Sequence, residues 1–231
     1  MEQYNYLLIN FFTVIICFLF SFHPRIRFDR HFIAFIKASS LVAVPFIVWD
    51  AWFTAIGVWW FNERYLTGYG IAGLPIEEIL FFFCIPFSCI FTYFCLDKFL
   101  NFSFRPRLVK NVVSIAATLF IVVAALHTDR IYTTVTLFST ALLLLVLQFI
   151  VRVDWLGKAI VVYAILLLPF FIVNGLLTGT GLEQPVVNYN SEDFLNIRLL
   201  TIPVEDVVYG FEMFVLNLYF FKRFSTEAVI S

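Results

Sequence analysis

Seven apolar runs, at 4–22, 32–60, 75–97, 109–126, 131–151, 156–177 and 203–221, each come near the length of about twenty residues that a helix needs to cross a bilayer's hydrocarbon. That feature leaves few folds open. Inside lipid every backbone polar group must be satisfied within the segment, which for runs of this length means helices. The remaining residues could not clothe a water-soluble body, since 62% of the chain is hydrophobic and only 13% charged. The expected fold is an all-α integral membrane protein of about seven transmembrane helices. The first run has neither a basic leader nor a small-residue cleavage site and reads as a retained span.

The net charge of −1 hides a sorted distribution. Arg25, Arg27, Arg30, Lys37, Lys98, Arg105, Arg107, Lys110, Arg152, Lys158, Lys222 and Arg223 fall on one side of the alternating connections, and only Arg64, Arg130 and Arg198 on the other. The positive-inside rule then puts the C-terminus in the cytoplasm and the N-terminus outside, which requires an odd number of spans. The expected location is the inner, cytoplasmic membrane. Trp49, Trp52, Trp59 and Trp60 gather at the outer end of the second run, where indole rings suit the interface.

The sequence repeats itself. Pro45-Phe-Ile-Val-Trp-Asp50-Ala-Trp-Phe-Thr54 lies over Pro169-Phe-Phe-Ile-Val-Asn174-Gly-Leu-Leu-Thr178, offset by 124 residues. After a four-residue insertion, Phe61-Asn62 matches Tyr189-Asn190, and Leu74-Pro75-Ile76-Glu77-Glu78 matches Ile202-Pro203-Val204-Glu205-Asp206, offset by 128. Spans one to three therefore return as spans five to seven, with span four as connector. The expected organisation is a first repeat at 1–100, a connector at 101–130 and a second repeat at 131–231. A shift of four spans keeps orientation, so the repeats are parallel about an axis along the membrane normal.

Glu77-Glu78 and Glu205-Asp206 fall just after prolines at helix entrances, where Pro fits the first helical position and the dipole favours carboxylates. One such entrance is an ordinary helix start; its recurrence points further. Neighbouring residues project about 100° apart, so one acid of each pair faces the bundle and pseudo-symmetry lets Glu77 and Glu205 converge. Two carboxyl groups close together in an apolar setting cannot both ionise cheaply, which leaves a protonated acid beside an ionised base. Asp50, its counterpart Asn174 and the deeper Glu212 lie in apolar runs, where acidic residues serve a partner or a cavity. Pairing for structure explains Glu212 equally well.

Other chemistries lack their residues. Cys17, Cys84, Cys89 and Cys95 form no C-x-x-C pair, the histidines His23, His31 and His127 lie in or beside short loops, and no aspartate-rich stretch holds a diphosphate through Mg²⁺. No metal and no cofactor is expected. The last span has no Lys for a retinal Schiff base, and no basic cluster interleaved with aromatics suits a nucleic acid. Gly68-Tyr-Gly70-Ile-Ala-Gly73 fits G-x-G-x-x-G on paper but lacks a strand–turn–helix setting. The 31 Phe, 10 Tyr and 5 Trp offer ring faces that pack against lipid or stabilise a cation.

On these residues the chain resembles the membrane-embedded lycopene cyclases, found as bacterial two-subunit enzymes, as single fused chains and as the cyclase part of fungal bifunctional proteins. The likeness is to the fused bacterial form. It rests on the P-x-E-[ED] motifs at Pro75 and Pro203, on Asn174-Gly-Leu-Leu-Thr178, and on Pro185-Val-Val-Asn-Tyr189-Asn190. The resemblance implies cyclisation of lycopene ends to β-ionone rings, by way of γ-carotene to β-carotene, without redox change. It implies Glu77 and Glu205 as acid and base in either order, with Glu78 and Asp206 supporting or alternate. Asp50, Asn174, Asn62, Tyr189, Asn190, Glu212, Trp49 and Trp52 follow as substrate-binding or supporting residues. Lycopene, other acyclic or monocyclic carotenoids and membrane lipid are the implied partners, with neighbouring pathway enzymes left open. A proton-coupled transporter and a non-catalytic carotenoid-binding protein are the rival readings. Asp50 against Asn174 and Glu78 against Asp206 mark where the copies diverge.

Overall fold

Each apolar run forms a helix, and the two copies of the repeat fold alike down to their loops. The computed structural model describes residues 2–101 and 103–230. The helices are α1 (Asn5–Ser21), α2 (Phe32–Ile56), α3 (Ile76–Phe99), α4 (Pro106–Leu126), α5 (Ile131–Leu145), α6 (Leu156–Leu177) and α7 (Val204–Ile230). Among the described residues six helical segments are long and apolar enough to cross a membrane, and their exposed side chains, such as Phe12, Ile16, Ile115 and Leu168, are those that lipid would solvate. The seventh helix, α7, has the length but carries Glu205, Asp206 and Glu212, all buried inside the bundle. It is enclosed rather than lipid-coated.

Within each repeat the first helix packs on the third, α1 on α3 and α5 on α7, and the second helix reaches across to the other repeat, α2 against α7 and α6 against α3. The halves are therefore interlocked. Pro45 and Pro169, which interrupt the hydrogen-bond ladder of a helix, sit inside α2 and α6 at matching positions. The connector α4 lies against α5.

Short strands fix the symmetry at one end of the bundle. Strand β1 (Trp59–Phe61) pairs antiparallel with β4 (Val187–Tyr189), each residue facing the counterpart of its mirror position, and Trp60 faces its own equivalent Asn188. The pseudo-two-fold axis passes through that pair. Asn62 donates its backbone N–H to Val186 O and Asn190 donates to Val58 O, both at 2.8 Å, which extends the reciprocity.

Two more hairpins lead into the acidic helices: β2 (Gly70–Ile71) with β3 (Leu74–Pro75), and β5 (Arg198–Leu199) with β6 (Ile202–Pro203). Here the sequence-based expectation needs correcting. Pro75 and Pro203 are the last residues of strands, one position before their helices begin, because hairpin pairing holds them extended, Pro75 at φ −65° and ψ 147°. The glycines of the G-x-G-x-x-G stretch belong to the same hairpin. Gly73 turns the chain at φ 82°, and a Cβ on Gly70 would lie 2.9 Å from Leu74 O, so the pattern is a tight turn with no phosphate loop. In the second copy Leu200 takes the left-handed place of Ala72.

Candidate functional site

The hairpins deliver two acidic residues each to the first turn of α3 and α7, and the 100° step between neighbours sends them to different places. Glu77 turns toward its own loop. Its Oε1 accepts the backbone N–H of Thr67 at 2.7 Å, while its carbonyl accepts from Asn10 Nδ2 at 2.8 Å. Glu205 repeats the arrangement, accepting from Leu195 N at 2.8 Å and from Thr133 Oγ1 at 2.5 Å. Both side chains are wholly buried, with their Oε2 atoms unpartnered among the described residues, and neither lines the cavity that their neighbours face. The convergence expected of Glu77 and Glu205 is thus taken over by their neighbours, because the loop amides fix the rotation of each first turn.

Glu78 and Asp206 face inward, onto an apolar cavity of about 770 Å³ between the repeats. Tyr6 donates its hydroxyl to Glu78 Oε2. Asp206 accepts from three donors: Tyr132 at 2.6 Å, Tyr189 at 2.9 Å and Asn174 Nδ2 at 3.2 Å. Burial, and then Asp206 itself, push the Tyr189 hydroxyl well above the ordinary phenol range, so it remains a donor. Asp50 lines the cavity beside Glu78, takes Trp59 Nε1 on Oδ1 at 2.6 Å and leaves a buried Oδ2 without a partner among the described residues. Three carboxyl groups therefore share one pocket.

Rings stand between the acids. Trp59 lies 5.2 Å from Tyr132 and 6.2 Å from Tyr189, and Tyr209 lies 5.2 Å from Trp49 and 6.5 Å from Trp59. Their faces carry negative potential that attracts a cation, more strongly where water is excluded. The cavity reaches the bundle surface between α1 and α6, where Leu8, Phe12, Ile16 and Ile172 are exposed. An apolar molecule has a way in from the side.

The remaining expected residues divide plainly. Asn174 and Tyr189 join the site through Asp206, whereas Asn62 and Asn190 close loop turns by accepting the N–H of Arg64 and Glu192. Glu212 accepts from Ser139 at 2.8 Å and Thr140 at 2.9 Å, binding α7 to α5 away from the cavity. Trp49 packs behind the site on Phe46, Phe53 and Tyr209; Trp52 and Trp60 are half exposed, as interface anchors are. Trp59 departs from its expected anchoring role, because β1 folds back over α2 and turns its indole N–H onto Asp50. Tyr6, Tyr132, Tyr209 and Gly210 line the cavity without having been among the expected residues. Tyr6 and Tyr132 are offset by 126, and only their shared place at the start of a first helix could have signalled them.

The role of Glu77 is open to test. Glu77→Gln keeps an oxygen for the Thr67 amide and should leave both the thermal midpoint and the activity near wild type, whereas Glu77→Ala orphans a buried N–H at a cost of about 1–3 kcal/mol. A stably inserted Glu77→Gln protein unable to act on its substrate would place Glu77 back among the reacting groups.

A family model described as lycopene cyclase matches residues 3–96 and 129–224, most of the chain and both copies of the repeat. No curated protein and no solved structure matches.

Proposed function

The chain belongs to the lycopene cyclase family, and from that membership we propose that it closes the ends of lycopene as β-ionone rings, using Glu78, Asp50 and Asp206. The family makes it a cyclase of carotenoid biosynthesis acting on a carotenoid substrate; the ring type and the residues are our reading. What carries it is the meeting of three carboxyl groups on one apolar, ring-walled cavity.

The reaction adds one proton, closes one C–C bond and removes another proton, with no net redox change. A carboxylic acid delivers H⁺ to C2 of the terminal alkene, leaving a cation at C1. The C5=C6 π pair attacks C1, forming the C1–C6 bond and moving the cation to C5. A carboxylate then takes the proton from C6, and the C–H pair becomes the new C5=C6 bond. An alkene is a poor base, so positioned acid and cation-facing rings must act together. Asp206, with three donors aimed at it, has the hydrogen-bond set of a carboxylate and is assigned as base. Glu78 and Asp50 receive one donor each and are assigned to proton delivery. In the closed ring C2 and C6 are both bonded to C1, so donor and acceptor must serve one small ring, an arrangement that residues of α3 and α7 related by the pseudo-two-fold suit.

In a bacterial host that accumulates lycopene, expression should convert the pigment first to γ-carotene and then to β-carotene, identified by chromatography and absorption spectrum. Unchanged lycopene, with the protein in the membrane, overturns the reading; rings of another isomer overturn the assignment of C6. In our reading the Lys- and Arg-rich end faces the cytoplasm. A fluorescent protein fused to the C-terminus should therefore mature and fluoresce in the same cells, and a dark fusion would reverse the orientation.

A further inference from the structure

A second cavity, of about 740 Å³, lies at the other end of the bundle, where most of the Lys and Arg residues fall. Gly157 packs tightly against two of its lining residues, Val109 and Phe104. A Cβ there would sit 2.7 Å from Val109 Cγ2 and 3.2 Å from the Phe104 ring, so only glycine lets α6 approach α4 this closely. The cavity is lined by Lys110, Arg152, Lys158 and Lys222, against two acids, Asp97 and Asp154. Asp97 is occupied with Lys158 and, at 3.8 Å, Lys222. Among the described residues Lys110 has only the ring of Phe149 at 5.3 Å, and Arg152 only a backbone carbonyl at 3.4 Å. The lining is a cationic surplus.

Two further polar groups point to what the surplus is for. Tyr93 is 2% exposed, lines the cavity, and its hydroxyl has no hydrogen-bond partner among the described residues. The same holds for the buried Oε1 of Gln148. A buried polar atom without a partner is costly. A phosphate oxygen would satisfy the Tyr93 O–H and the cations together, and a hydroxyl beside that phosphate would satisfy Gln148. Next to the cavity, α4 presents Leu108, Val112, Ile115 and Leu119 outward, a track that acyl chains can cover. Residues 97–128, which supply Asp97, Lys110 and all of α4, lie outside the two segments matched by the family model.

We propose that this cavity binds the headgroup of an anionic phospholipid, a phosphodiester bearing a free hydroxyl, held by Lys110, Arg152, Lys222 and Tyr93. Basic pockets between helices at the Lys/Arg-rich membrane face suit such headgroups. The site is separate from the acid-lined cavity, so it stands whether or not the ring chemistry is as proposed above. The lipid bridges α4 to the second repeat and fixes the connector.

The test is thermal unfolding of the full chain in neutral detergent with phosphatidylglycerol added stepwise. The midpoint should rise and saturate, while phosphatidylcholine and inorganic phosphate leave it unchanged. Lys110→Gln with Arg152→Gln should raise the half-saturating concentration about thirty-fold. Tyr93→Phe should raise it several-fold, and the charge-keeping pair Lys110→Arg with Arg152→Lys should stay close to wild type. These variants are compared only where size-exclusion profile and helical content match the parent. Equal response of the Gln pair and wild type overturns the site, and so does equal protection by phosphatidylcholine; protection by inorganic phosphate alone overturns the lipid as its source.

Discussion

Asp206→Asn should cut ring formation by at least about a hundredfold, the lower range of what a positioned proton acceptor contributes. Three hydroxyl and amide donors converge on this carboxylate. An amide keeps one oxygen for Tyr132 but turns an NH₂ toward Tyr189 and Asn174, donor against donor, so a stability loss of about 1–3 kcal/mol accompanies the lost base. Glu78→Gln separates the two effects. Tyr6 can still donate to the amide oxygen, so the protein should insert and melt near wild type while rings again fall by about a hundredfold or more. Because both groups serve one reaction, the double variant should be scarcely worse than either single one. Initial rates of γ-carotene formation, per amount of protein in the membrane, decide the matter. A Glu78→Gln enzyme at full rate would remove that residue from proton delivery.

The global architecture was legible because lipid permits so little else. Helix length, the sorted Lys and Arg, and the doubled P-x-E-[ED] motifs led to seven helices in two parallel repeats, and the rival readings as transporter or pigment binder have given way to the cyclase family. What a sequence leaves open is rotation. Glu77 and Glu78 are one residue and about 100° apart, and the choice between them rests on a backbone amide, Thr67 N, contributed by a loop whose path depends on a six-residue hairpin. The same amide-to-carboxylate contact recurs from Leu195 to Glu205, so the rule is symmetric although no motif announces it. Trp59 shows the other limit. Its place at a span end matched an interface anchor, yet a three-residue strand pairing with a segment of the other repeat carried it inside onto Asp50.

Symmetry also predicts where it must fail. Gly210 of α7 occupies the place that Phe82 holds in α3, offset by the same 128 residues as the acids. Phe82 is buried and fills its site, packed against Phe46 and Phe81. Gly210 lines the acid-bearing cavity, and a Cβ there would lie 2.8 Å from the Tyr163 hydroxyl and 3.3 Å from the Phe170 ring. The missing side chain is thus part of how the second repeat opens the space that the first repeat closes. Gly210→Phe, which copies one repeat onto the other, should occupy the cavity and reduce ring formation below detection, with an overpacking cost of about 1–3 kcal/mol. Gly210→Ala is the graded control. It gains about 1 kcal/mol in helix propensity but must displace the Tyr163 hydroxyl, which donates to Val207 O at 2.7 Å, so cyclisation should fall only partly. Full ring formation by an intact Gly210→Phe protein would mean that the polyene end binds elsewhere, and with it the assignment of Glu78, Asp50 and Asp206 would fall.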